Sequence, residues 1–277
     1  DGTRVEVKLQ AGGAIVAGVL FRIWVFAVRT DIYSAAGAGC LSFAAMLLQG
    51  LPVKPLHILT ASLYVYAMHV LNRFTDRKTS SISSFREESY LLHEKIYVTL
   101  AVLSTIVALG AAFIAGPAPF ILLFLISLSG ILYNTRLLPA GWRFQRLKDI
   151  PGSKNINTAV AWAAVTALLP WIETGQEPTP GLAVSFVFVA GIVFIRSALS
   201  DILDIQSDRL IGRETIPVLI GEGKTLILLQ GISAILFLLL LAAPPAGWSS
   251  SLSFVLLTAV FYIWICFKLY DRRSGFS

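Results

Sequence analysis

Apolar residues fill long, nearly unbroken blocks of this chain, and polar residues are confined to the gaps. A membrane-spanning helix needs about 20 mostly apolar residues. Eight blocks approach that length: 31–50, 56–72, 96–115, 118–134, 157–172, 181–200, 225–243 and 250–268. An earlier apolar stretch, 11–28, carries Arg22 and runs up to Arg29. It reads as an amphipathic entry helix lying in the membrane interface, with a ninth full span as the alternative. The pattern predicts an all-α, polytopic transmembrane bundle of eight to nine spans. Residues 1–277 then form one domain, with 1–30 as an N-terminal interfacial segment. The opening DGTRVEVKLQ lacks an initiator Met and reads as a trimmed or processed end, with no signal-peptide pattern.

Charge changes the picture by giving the bundle two unlike ends. One set of loops holds Arg73, Arg77, Lys78, Arg86 and Lys95; then Arg136, Arg143, Arg146, Lys148 and Lys154; then Arg196, Arg209, Arg213 and Lys224; and finally Lys268, Arg272 and Arg273. Of Lys and Arg, the opposite loops carry only Lys54. The positive-inside rule makes the basic side cytoplasmic. An even number of spans puts both termini there. Composition agrees with membrane residence: 56% of residues are hydrophobic and 14% charged, against about 25% charged in soluble domains. The net charge of +6 would suggest nucleic acid in a soluble chain. Its confinement to alternate loops assigns it to the surface of an inner or plasma membrane, and no nucleic-acid partner is expected. Cys40 and Cys266 both lie in apolar runs and read as inert thiols.

Two acidic stretches close apolar blocks on the basic side. The first is Asn72–Asp76, NRFTD; the second is Asp201–Asp208, DILDIQSD. On a helix, residues three and four apart share a face. Asn72 and Asp76 therefore project together, as do Asp201, Asp204 and Asp208. Carboxylates at the edge of a bilayer are costly and mark function. Two such faces meeting across a cavity open to the cytoplasm would make an oxygen-rich cage suited to Mg²⁺. That ion takes few protein carboxylates and completes its shell with water and substrate phosphate. A diphosphate handled at the membrane is the expectation. Among the histidines, His69 is three residues before Asn72 and either touches a substrate or packs within its helix. His57 lies at the far end of its span, and His93 in a polar loop.

The second acidic stretch extends as SDILDIQSDRLIGRETIPVLIG, Ser200–Gly221. Its D-x-x-D-x-x-x-D run, followed by Gly212-Arg213, Thr215, Pro217 and Gly221, resembles the second signature of the UbiA superfamily. These are intramembrane aromatic prenyltransferases. The N-x-x-x-D of Asn72 and Asp76 resembles their first signature, usually N-D-x-x-D-x-x-x-D. Between them, Tyr133–Asn155 looks like the family's basic loop after the fourth span. The resemblance implies transfer of a prenyl group from a polyprenyl diphosphate to an aromatic or other lipophilic acceptor, through an allylic carbocation, with Mg²⁺ as cofactor. It is similar in this to 4-hydroxybenzoate polyprenyltransferase of quinone biosynthesis.

The same resemblance assigns roles. Asp76, Asp201 and Asp204 are the expected catalytic acids. Asn72, Asp76, Asp201, Asp204 and Asp208 are the expected metal ligands. Arg77, Lys78, Tyr133, Arg146, Lys148 and Arg213 are the expected diphosphate contacts, with Lys154 behind Lys148. Each has a plainer reading: a helix cap for Asn72 and Asp76, an aromatic-belt position for Tyr133, and an anchor to anionic lipid for the basic residues. Arg213, beside Gly212, either reaches phosphate or orders a turn. The chain departs from the family where Arg73 stands at a usual Asp and Ser80 at the third acid. Glu87 or Glu88 could then supplement the first half-site. The eight spans against the family's usual nine point to an end missing beyond Ser277. A transporter with an acidic ion site is the alternative, disfavoured because such sites lie near the midplane and these acids lie at span ends. The D-G-x-x-A-R start of a CDP-alcohol phosphotransferase is not found.

Overall fold

The computed structural model describes residues 18–19, 21–28, 30–77, 94–135, 139, 146–210 and 212–274. Their regular elements are all helices. Each of the eight apolar blocks corresponds to one long helix: α1 (Ile32–Leu48), α2 (Pro55–Arg77), α3 (Glu94–Ala115), α4 (Pro117–Asn134), α5 (Ser153–Thr174), α6 (Pro180–Leu203), then two short helices α7 (Ile205–Leu210) and α8 (Ile216–Ile220), and finally α9 (Glu222–Ala242) and α10 (Leu252–Ser274). A separate helical segment, Phe21–Val28, meets α1 at 85°.

Helix boundaries follow local chemistry. Gly116 breaks the chain between α3 and α4, and Pro117 sits at the first position of α4, where its missing N–H costs nothing. Thr179 caps α6 by accepting from the Leu182 amide at 3.3 Å, again with proline next. Within α5, Pro170 cannot donate to the preceding turn, and its ring displaces a carbonyl there. A π turn at Ala164–Leu168 absorbs the mismatch. Beside it, the Gln49 side-chain amide donates to the Ala167 carbonyl at 3.1 Å.

By length and hydropathy, five helices suit a membrane crossing: Lys95–Ala115, Ser153–Thr174, Pro180–Leu203, Glu222–Ala242 and Leu252–Tyr270. The bent pair of Phe21–Val28 and α1 would make a sixth. Pro117–Tyr133 is apolar but shorter. Helix α2 is long enough, yet His57, Thr60, His69, Asn72 and Arg73 lower its hydropathy.

Packing arranges α1 between α2 and α6, α2 against α3, α3 against α4, and α5 against α4 and α6; α9 lies on α6 and α10 on α9. The buried core runs through α5 and α6, with Trp162, Phe188, Val193 and Ile202 among its members. Outer helices present apolar side chains outward, as at Phe113, Ile114, Ile227 and Tyr262. In water such exposure would be a liability; against lipid it is the expected surface.

The two ends of the bundle differ as the loop charges predict. At one end Lys54 Nζ meets Glu173 Oε1 at 3.0 Å, His57 Nε2 meets Glu173 Oε2 at 2.5 Å, and Ser250 donates to the Leu47 carbonyl at 2.8 Å. His57 is thus confirmed at the end remote from the acidic motifs. Among the described residues, the other end gathers Arg73, Lys154 and Arg213 beside the carboxylates Asp31, Asp201 and Asp208.

Close packing of α6 on α9 depends on Gly191, where an added Cβ would lie 2.8 Å from both Leu236 methyls. Gly191→Val should lower the thermal unfolding midpoint in detergent, at a cost of about 1–3 kcal/mol. Gly231→Ala on α9, with open space around its Cβ, should leave the midpoint level or raise it.

Candidate active site

Helix α6 carries Asp201 in its last turn and stops at Leu203. Asp204 then leaves the helical geometry, with φ −98° and ψ 6°, before α7 resumes at Ile205. The break alters which acids share a face. Asp201 and Asp208 are buried, 6% and 4% exposed, while Asp204 is exposed. Buried carboxylates need partners, and each has them. Asn155 Nδ2 donates to Asp201 Oδ2 at 2.9 Å, and Lys154 Nζ stands 3.6 Å from Asp201 Oδ1. Ser197 donates to Asn155 Oδ1 at 3.0 Å, which fixes the amide so that its NH₂ faces Asp201. The start of α5 is thereby fastened to the end of α6.

Asp208 is held by the loop that follows it. Arg213 donates its amide to the Asp208 carbonyl at 2.9 Å, Gly212 adopts φ 70°, and the Arg213 guanidinium lies 3.9 Å from the Asp208 carboxylate. Burial raises the Asp208 pKa above the ordinary carboxylate value; Arg213 opposes the shift and the Asp201 charge adds to it. Two desolvated carboxylates that repel each other, beside an amide and two cationic side chains, are an all-oxygen donor pair on which a hard divalent cation fits.

Other expected residues distribute as follows. Asn72 lies exposed near the end of α2. Tyr133, at the end of α4, pairs its hydroxyl with Ser153 Oγ at 3.0 Å, and Ser153 donates to the Leu147 carbonyl at 2.8 Å. This bond ties the central loop to the start of α5. Lys148 lies on the short 3-10 turn Leu147–Asp149 and Arg146 just before it, both partly buried. The side chains of Asp76 and Arg77, together with Lys78, Ser80, Glu87 and Glu88, lie outside the described residues. Among the described residues no group of three or more His, Cys, Asp or Glu side chains converges as a metal site.

The structure adds residues the motifs did not flag. Arg73, at the position of the family's usual acid, pairs with Asp31 at 2.6 Å. Asp31 is 4% exposed and precedes α1 with φ 60°. A left-handed non-glycine residue is uncommon. Here the side chain does not cap α1 but turns to Arg73. Three residues on, Ser34 accepts from Arg196 of α6 at 2.9 Å. The Arg196 guanidinium lies 5.6 Å from the ring centres of both Tyr33 and Trp162. Trp162 in turn meets His69 edge-on at 5.7 Å. The first turn of α1 therefore joins the two motif-bearing helices, α2 and α6. His69 packs on a tryptophan of α5, at the site's edge. Arg196, which the charge pattern groups with the basic loops, lies instead inside α6 and within the apolar block 181–200.

The sequence profile of the UbiA prenyltransferase family matches residues 33–276. The chain belongs to that family. No curated protein sequence matches it. Among solved structures, it is similar to a UbiA homolog from Archaeoglobus fulgidus bound to GPP and Mg²⁺, with TM-score 0.63, 16% identity, and coverage of 89% of this chain and 87% of that one. The same homolog bound to DMAPP and Mg²⁺ gives TM-score 0.61 at 16% identity, with the same coverage. Its Cd²⁺-bound form gives 0.59 at 16% identity over 89% and 88%. At this identity the likeness establishes the fold.

Removing one partner of a buried ion pair strands the other charge, at about 3–5 kcal/mol. Arg73→Leu should therefore lower the unfolding midpoint sharply. Asp31→Asn combined with Arg73→Leu should recover a large part of the loss. Equal midpoints for the single and double variants would mean the pair is not coupled.

Proposed function

We propose that this protein is a Mg²⁺-dependent prenyltransferase acting at the cytoplasmic face of an integral membrane bundle. It moves a prenyl group from a polyprenyl diphosphate to an aromatic or other lipophilic acceptor, with 4-hydroxybenzoate the default and quinone biosynthesis the corresponding setting. One observation carries this reading: the buried, mutually repelling pair Asp201 and Asp208, set among Lys154, Asn155 and Arg213 at the basic end of a UbiA-family fold. Structures of the Archaeoglobus fulgidus homolog are bound to DMAPP or GPP with Mg²⁺, which supports the same pairing of ligand and metal here.

Asp201 and Asp208 would hold the metal from α6 and α7, with Asn72 and Asp76 opposite on α2 and Asp204 at the helix break. Mg²⁺ supplies charge neutralisation at the leaving diphosphate. The chain's own residues do the rest. Asn155 and Lys154 keep Asp201 oriented. Arg146, Lys148 and Tyr133 border the central loop, where a diphosphate needs cationic and hydrogen-bonding partners, and Arg77 and Lys78 flank the first motif. Positioned positive charge stabilises the transition state more than the ground state, because further negative charge builds on the departing oxygen as the C–O bond breaks. The C–O bond breaks with its electron pair leaving on the diphosphate. The allylic cation is attacked by a ring carbon of the acceptor, which then loses its proton. Apolar walls such as Trp162 exclude water from the cation.

Purified protein should release diphosphate from farnesyl or geranylgeranyl diphosphate only when Mg²⁺ is present. Asp201→Ala and Asp208→Ala should each lower that rate by about 10²–10³, the scale for removing one electrostatic group from a site. Asp204→Ala tests the exposed member of the motif in the same assay. Unchanged rates in Asp201→Ala and Asp204→Ala would overturn the site assignment. Mg²⁺-independent ion flux through vesicles, with no diphosphate released, would favour the transporter alternative.

A further inference from the structure

Helices α9 and α10 are joined side chain to side chain at two levels. Tyr270 donates its hydroxyl to Glu222 Oε1 at 2.9 Å, and Trp264 donates its indole N–H to Ser233 Oγ at 2.8 Å. Beside these bonds lies a groove of about 440 Å³ lined by Leu226, Gln230, Trp264, Phe267 and Lys268. Phe267 is its most enclosed member, 5% exposed, whereas Gln230 and Lys268 are exposed. These residues occupy the half of each helix nearest the basic end, where α9 begins at Glu222 after the second acidic motif. None of them belongs to α2, α5, α6 or α7, so the groove is separate from the candidate active site.

Polar side chains are out of place on this surface. Helix α9 is the most apolar of the five candidate spans, and its Ile227 and Leu228 are exposed. Nothing among lipid tails can satisfy an amide, yet Gln230 lines the groove eight residues inside α9. Lys268 lies within the apolar stretch of α10. Among the described residues, neither side chain has a hydrogen-bond or ion-pair partner. A lysine alone can snorkel to the interface; a deeper amide on the same groove calls for an acceptor of its own. Measured from the Glu222–Tyr270 bond, Lys268 stands two residues in and Gln230 eight, about 3 Å and about 12 Å along the helix axes. A glycerophospholipid presents its groups in that order, with the phosphate outermost, ester carbonyls beneath it and acyl chains last. Free phosphate offers only the first of these, and a prenyl diphosphate has no ester carbonyl below its phosphates. The charge balance sets the kind of head group. In sequence, these ends of α9 and α10 carry Lys224, Lys268, Arg272 and Arg273 against Glu222 and Asp271. Basic pockets between spans on the cytoplasmic side suit anionic head groups.

We propose that the α9–α10 groove binds an anionic glycerophospholipid of the cytoplasmic leaflet. Lys268 takes the phosphate in a charge-assisted hydrogen bond, Gln230 donates to an ester carbonyl, and an acyl chain lies over Leu226 and Phe267. The bound lipid holds α10 on α9. That helix has the least protein cover of the five spans, with 17% of its apolar window buried. A ligand that binds only the folded bundle stabilises it by mass action. The site stands independently of the prenyl-transfer reading.

The test uses the full chain purified in detergent, with dioleoyl phosphatidylglycerol and dioleoyl phosphatidylcholine as probes. Native mass spectrometry reads the lipid retained, and the thermal unfolding midpoint reads its effect. Wild type should prefer phosphatidylglycerol by about tenfold, and its midpoint should rise as that lipid is added. Lys268→Gln should lose the preference by weakening phosphatidylglycerol alone. Gln230→Leu should weaken both lipids alike, by about threefold, because both carry the same ester carbonyls. Lys268→Arg should keep the preference. Lys95→Gln, which removes an exposed charge at the same end of the bundle but outside the groove, should behave as wild type. Equal retention of the two lipids by wild type, an unchanged preference in Lys268→Gln, or an equal loss in Lys95→Gln overturns the proposal. Displacement of the bound lipid by equimolar glycerol phosphate, which marks a site for phosphate alone, also overturns it. If Lys268→Gln is too unstable to isolate, Gln230→Leu decides: parallel weakening of both lipids supports the site, and unchanged binding overturns it. None of these readouts requires catalysis, so an inactive protein would refute prenyl transfer and leave the lipid site to be judged separately.

Discussion

Burying charge in an apolar bundle costs several kcal/mol for each unpaired ion, and this constraint organises the whole basic end of the molecule. Among the described residues, each buried carboxylate there is fastened to a different element from its own or to the loop that follows it: Asp31 to α2, Asp201 to the start of α5, Asp208 to the loop before α8. The pairs bring helices together that apolar contact alone would leave free to slide. Apolar packing is tolerant of register; a 2.9 Å bond from Asn155 to Asp201, backed by Ser197, is not. The same bonds that stabilise the buried acids therefore also hold them where a ligand would meet them.

The second motif shows how much depends on one helix break. Counted along an ideal helix, Asp201, Asp204 and Asp208 fall on one face. The chain leaves helical geometry at Asp204, and the count no longer applies beyond it. Asp201 and Asp208 end buried and close enough to influence each other's charge, whereas Asp204 is exposed. Spacing revealed that the acids belong together but not which of them would be desolvated. Desolvation decides which carboxylates most need a cation, so the break assigns the members of the motif different electrostatic environments.

Hydrophobic blocks translated into helices because each element's length and apolarity are local properties. The two-ended charge pattern was legible for the same reason, and the His57–Glu173 cluster opposite the motifs bears it out. The partners were not legible. Asn155 and Asp201 are 46 residues apart, Arg73 and Asp31 42, and Arg196 and Ser34 162. Nothing in the spacing of either member selects the other. Arg73, which as a sequence reads as a missing metal ligand, is in the fold the counterion of an acid at the start of α1. The resemblance supplied the kind of site; only packing supplied the identity of the residues that hold it together.

The apolarity of the bundle is distributed according to what each helix faces. Helices α3, α9 and α10 pass as strongly apolar spans with little of their surface covered by protein, at 22%, 28% and 17% of the apolar window buried. Helix α5, at 56%, is the most enclosed and has the lowest hydropathy of the five. Helix α2 is less apolar, since it carries Asn72, His69, which packs on Trp162, and Arg73, which pairs with Asp31. A side chain facing lipid must be apolar because nothing there can satisfy it. A side chain facing the interior can be polar provided a neighbour answers it. Low hydropathy in α2 and α5 thus marks helices whose polar side chains find partners inside the bundle, whereas α6, with hydropathy 2.3, keeps an apolar body and gathers its acids at its end.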